Sequence, residues 1–103
     1  MYWGALAHLY LHKRTYEDTA QRILAARDDA ARRRICGENC WLLSSDQVAF
    51  HYVHGFLNWY DIIYDPRGKV LSVRSWDEKK QLDTYFISAE PLTSDWYLGH
   101  FGD

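Results

Sequence analysis

The residues of this chain best suited to chemistry near neutral pH are two cysteines and a pair of histidines that follow them. Cys36-x3-Cys40 and His51-x2-His54 supply four soft or borderline ligands in one stretch, a set that tetrahedral zinc accepts. The spacing departs from the usual zinc finger, whose histidines stand three to five residues apart behind a longer intervening stretch. A domain of 103 residues is also large enough to fold without metal. No cofactor is therefore expected, with zinc on Cys36, Cys40, His51 and His54 as the one alternative. In the plainer reading the two cysteines are reduced thiols beside a helix end. They can also be paired as a redox couple, although x3 is not the two-residue spacing of the thioredoxin type, and two cysteines make no disulfide framework.

A cysteine nucleophile is the second possibility. Cys36-Gly37-Glu38-Asn39-Cys40-Trp41 resembles, over these six residues, the papain-type segment C-G-[SA]-C-[WY] with one residue inserted. The resemblance implies a cysteine that opens a long helix and a histidine brought in from a distant strand. His51 and His54 are instead 11 and 14 residues beyond Cys40. On one continuous helix, with a rise of about 1.5 Å per residue, His54 lies roughly 20 Å from the thiol. His100 is the remaining distant histidine.

The third possibility is a polar face. Advancing about 100° per residue, Gln47, His51, His54, Asn58 and Asp61 fall in one arc of about 120°, opposite Val48, Phe50, Tyr52, Val53, Phe56, Leu57 and Trp59. Two imidazoles, an amide and a carboxylate on successive turns can bind a ligand or supply a general acid and base, and Trp59 beside them can stack on a planar group. The same pattern is what any amphipathic helix shows, and its low formal charge suits a protein partner.

Positioning these side chains requires elements. Residues 2–13 are apolar nearly all round at helical spacing and so predict a helix that is central or lies at an oligomer interface. Thr15 with Asp18 reads as a capping pair opening a second helix over Tyr16 to Ile35, its Arg32-Arg33-Arg34 run matched to the helix dipole and Gly37 ending it. Ser44 with Gln47 opens a third helix, Ser45 to about Asn58, although Gly55 weakens it and the β-prone residue types leave a strand alive. The runs 59–64 and 69–74 flank Asp65-Pro66-Arg67-Gly68 as a hairpin on a type I turn. Leu82 to Ser88 follows as a further strand, ended by Pro91. The expected fold is one α+β domain, two or three N-terminal helices packed on a small C-terminal antiparallel β-meander.

Composition narrows the function. Seventeen aromatic residues exceed what a small interior hides, so some rings face solvent, which is a binding signal. Residues 1–35 carry a net charge of +3 and residues 36–103 one of −5. An RNA-cleaving toxin using His51, His54 and Arg74 needs a basic surface that the second half lacks. Gly-rich phosphate loops, H-E-x-x-H, G-x-S-x-G and EF-hand patterns are absent from the sequence, and no apolar run approaches the roughly 20 residues that cross a bilayer. The N-terminal stretch, interrupted by His8 and His12 and without a leading basic region, is not of the export type, which gives a cytoplasmic expectation. The leading expectation is a non-catalytic protein-binding or regulatory module. It engages another protein or its own copy through Gln47, His51, His54, Asn58, Trp59, Asp61 and Arg74, with nucleic acid and membrane not expected. The alternative is a small enzyme or ligand-binding protein using His51 and His54 with Cys40 or Arg74.

Overall fold

The computed structural model describes residues 2–71 and 86–102. The elements run α1 (Tyr2–Ala25), α2 (Asp29–Cys36), β1 (Cys40–Ser44), β2 (Gln47–His54), β3 (Asn58–Tyr64), a 3-10 turn (Lys69–Leu71), β4 (Phe86–Thr93) and β5 (Trp96–Gly102). The five strands form one antiparallel sheet in the order β1-β2-β3-β5-β4. Among the described residues this is an α+β fold of two helices followed by a sheet. Among the described residues no helix is long and apolar enough to cross a membrane.

The helices differ from their expected bounds. α1 runs through the Thr15–Asp18 pair and is broken in geometry only at His12, whose φ of −121° and ψ of 16° mark a kink. The expected second helix is interrupted instead at residues 26–28. There Asp28, in extended conformation, accepts a hydrogen bond from Ala31 N at 2.8 Å and caps α2, as a short carboxylate side chain does at a helix start. Gly37, at φ +59°, ends α2 with its N–H on the Arg33 carbonyl.

The expected third helix over 45–58 does not form. Its residues make β2, the turn at 55–57 and the first residue of β3. The first four residues of β2, Gln47 to Phe50, are buried on both sides of the sheet, so the polar alternation that identifies a half-buried strand is erased. β-branched and aromatic side chains, held by ladders to β1 and β3, decide for the strand.

The expected partner strand at 69–74 is also corrected where it is described. Lys69–Leu71 is a 3-10 turn, because the buried Asp65 carboxylate accepts from Val70 N at 2.9 Å and from Arg67 N at 3.3 Å and curls the chain back. Gly68, at φ +66°, completes the turn, and β5 takes the place beside β3. Residues 72–74, the connection after them and the start of the expected strand at 82 lie outside the described residues. Pro91, expected to stop that strand, sits within β4. Among the described residues β4 is an edge strand, the place in a sheet where proline is tolerated because an outward-facing N–H makes no ladder bond.

Two apolar clusters hold the layers together. On the helix side, Ala5, Leu9, Ala20 and Ile23 of α1 meet Val48, Phe50, Ile62, Trp96 and Leu98. On the opposite side, Leu43, Ala49, Ile63, Val70 and Phe101 form a second, smaller cluster.

Candidate functional site

The sheet face away from the helices carries four of the predicted residues, His51, His54, Trp59 and Asp61. His51 and Asp61 are register partners across β2 and β3, and His51 Nδ1 lies 3.0 Å from Asp61 Oδ1. The other carboxylate oxygen accepts from Trp41 Nε1 at 2.8 Å. Asp61 is wholly buried while the His51 side chain is 38% exposed, so the carboxylate fixes which ring nitrogen carries the proton and leaves Nε2 for a ligand.

A bulge supplies the second histidine. Strict alternation would put His51 and His54, three residues apart, on opposite faces. The register shift between His51 and Val53 instead sets His54 against Trp59, returning it to the His51 face. The two imidazole centroids are 6.2 Å apart. His54 stacks on Trp59 (5.8 Å, 9°) and Trp59 on Phe101 (5.6 Å, 3°), so an aromatic row leads from the second cluster to the exposed His54. Beyond it, the β2–β3 turn is closed by Gly55 N on the Asn58 carbonyl. It projects Phe56 at 97% exposure and Leu57 at 54%, with Val53 and Ile87 also exposed.

The other predicted residues lie elsewhere. Gln47 is buried and donates from Nε2 to Asp65 at 3.0 Å, and its Oε1 is bonded by the Ser44 hydroxyl. It braces the turn after β3 and belongs to no open surface. Asn58 is exposed, but it is the register partner of Gly102 and its Oδ1 is 3.3 Å from His100 Nε2, which belongs to the other face, where His100 stacks on Tyr60. Arg74 lies outside the described residues. Cys36 and Cys40 are joined in a disulfide, with Cα atoms 5.9 Å apart, and Cys40 packs in the helix-side core. Neither sulfur is a thiolate in this form, and Cys40 is on the opposite face from His51. Among the described residues no three His, Cys, Asp or Glu side chains gather to hold a metal ion.

A concavity on the helix side was not anticipated from the sequence. A cleft of about 400 Å³ opens between α1, the end of α2 and the sheet, lined by His8, His12, Thr15, Tyr16, Thr19, Ile35, Cys36, Asn39 and Phe50. His8 Nε2 is 2.8 Å from the Tyr16 hydroxyl, and the His8 and His12 rings are 4.8 Å apart. Burial, and then the neighbouring His12, hold the His8 imidazole below its ordinary range, whereas burial, reinforced by Tyr52, raises the Tyr16 phenol. The signal for this cleft was the spacing 8, 12, 16, which stacks three such side chains along one helix face.

Comparisons with protein-family models, with curated proteins and with solved structures find no match for this chain.

Proposed function

We propose that the protein is a small protein-binding module that docks through the end of the sheet formed by the β2–β3 turn. The observation that carries this reading is the contiguous exposure of Phe56 and Leu57 beside His54 and Trp59. Apolar side chains gathered at a projecting tip mark an interaction surface, whereas singly scattered ones do not. The partner is a protein with an apolar groove. The sequence holds no Lys or Arg between Arg34 and Arg67, so β2, its turn and β3 themselves bring no cation to a phosphate backbone.

A photo-crosslinking residue at position 56, followed by mass spectrometry, tests this. One dominant protein adduct is expected, either a partner or a second copy, and it should disappear when Leu57→Ser and His54→Ser are added. An adduct pattern unchanged by those substitutions, or only scattered adducts, overturns the placement.

A second reading rests on a different observation. A fully buried Asp61 that holds Nδ1 of a half-exposed His51, with His54 at 6.2 Å, is the arrangement of an oriented general acid or base. Turnover of that kind would be lost in His51→Gln and retained in Phe56→Ser, whereas binding through the tip has the reverse dependence.

A further inference from the structure

We propose that the cleft between α1 and the sheet binds a divalent transition-metal ion through His8 and His12, an ion of the Cu(II) or Zn(II) class. The first argument is geometric. A metal–nitrogen bond of about 2.0–2.1 Å puts each imidazole centre roughly 3 Å from the ion, so two rings on one tetrahedral centre stand roughly 5 Å apart. The His8 and His12 centroids are 4.8 Å apart, as their i, i+4 placement on one helix face allows. His51 and His54 are more widely separated at 6.2 Å, and His51 Nδ1 is already engaged by Asp61.

The surroundings supply the second argument. Among the described residues no Lys or Arg lines the cleft, so none of them sets a positive side chain in its wall against a cation. The Tyr16 hydroxyl, 2.8 Å from His8 Nε2, is displaced from that nitrogen when an ion arrives and is placed to contact it or a bound water. Thr15, Thr19 and Asn39 on the same walls offer oxygen to such waters. With two histidines and room around them the site is open, unlike the closed four-ligand sets of structural zinc. Copper is held more tightly than zinc, following the general order for nitrogen ligands.

Titration of the full-length, disulfide-intact protein with Zn(II) and with Cu(II), followed by calorimetry and visible absorption, tests the site. One equivalent is expected to bind with a Kd below ~1 mM. His12→Asn and His8→Asn should each weaken it by at least ~10-fold, and His54→Asn should leave it unchanged. His12 is exposed, so its replacement preserves the fold, which circular dichroism verifies. In the wild-type protein, substoichiometric Cu(II) should broaden the His8 and His12 imidazole resonances before those of His51, His54 and His100. Affinity unchanged in His12→Asn, loss of binding in His54→Asn, or no saturation below ~1 mM overturns the assignment.

Discussion

His51 on β2 and Asp61 on β3 face one another as register partners, with Nδ1 and Oδ1 3.0 Å apart and the carboxylate wholly enclosed. Trp41, one strand further out, donates to the remaining oxygen. One buried carboxylate therefore ties three neighbouring strands together. A charge removed from water is tolerated only when its lone pairs are engaged, which makes His51 and Trp41 structural partners of Asp61 as well as features of the open face.

Asp61→Ala should accordingly destabilise the fold by about 3 kcal/mol, because it strands the Trp41 indole N–H and removes the His51 partner. Asp61→Asn, which keeps an acceptor for one of the two donors, should cost less, about 1–2 kcal/mol. Urea unfolding followed by tryptophan fluorescence distinguishes them. Equal losses would show that the carboxylate's charge, and not its hydrogen bonding, matters.

The order of helices before an antiparallel sheet was legible in the sequence, and the structure brings His51, His54, Asp61 and Trp59, all singled out there, to one face of that sheet. What placed His51, His54 and Asp61 together on a helix, with Trp59 opposite them, was a coincidence of periods. A strand buried on both faces shows no alternation, and the bulge after His51 shifts phase by one residue, so an arc computed at 100° per residue gathered them equally well. Asn58 and Gln47 entered that arc without sharing the site. The sheet neighbours of β3 were illegible for a different reason. The Asp65 carboxylate caps two backbone amides within its own turn, and local side-chain capping of that kind overrides the β-prone types of Val70 and Leu71.

Gly99 shows how closely the second cluster is packed. A Cβ on this residue would come within 2.4 Å of Ile63 Cδ1 and 3.0 Å of Phe101 Cε1, and both neighbours are completely buried. Gly99→Ala should therefore cost about 1–3 kcal/mol, as overpacked cores do. Ile63→Val in the same chain should recover part of that loss by removing the methyl group nearest the new Cβ. Denaturation midpoints of the single and double variants check this, and simple additivity of the two substitutions would contradict the contact.

Acid should weaken the fold in two separate steps. His8 titrates lower in the folded protein than in the unfolded chain, chiefly through burial. The unfolded state therefore takes up the extra proton, and stability falls as pH drops through roughly 6.5 and on through the lower folded value. His8→Gln should flatten this step. Asp46 behaves as a stabilised carboxylate: burial opposes its charge, but hydrogen bonds from Lys69 and Ser44 and the charges of Lys69 and Arg67 outweigh it and hold its pKa low. Its contribution is complete above roughly pH 4 and is lost as pH falls through the depressed folded value. Asp46→Asn should remove only this lower step. Urea midpoints collected from pH 8 to pH 3 resolve both.

The Cys36–Cys40 bridge spans a sequence separation of four residues, the kind of short loop whose closure removes little freedom from the unfolded chain. Chain-entropy reasoning assigns it roughly 2 kcal/mol, and the α2 cap and the β1–β2 ladder that flank it do not depend on the sulfur bond. A Cys36→Ala/Cys40→Ala chain should therefore remain folded, with a Tm lowered by roughly 8–16 °C. Reduction of the wild-type protein should lower its melting point similarly without abolishing the transition. Thermal melts under oxidising and reducing conditions test both statements. If the reduced protein lost its cooperative transition altogether, the bridge would be organising the junction of α2 and β1 and not merely reinforcing it.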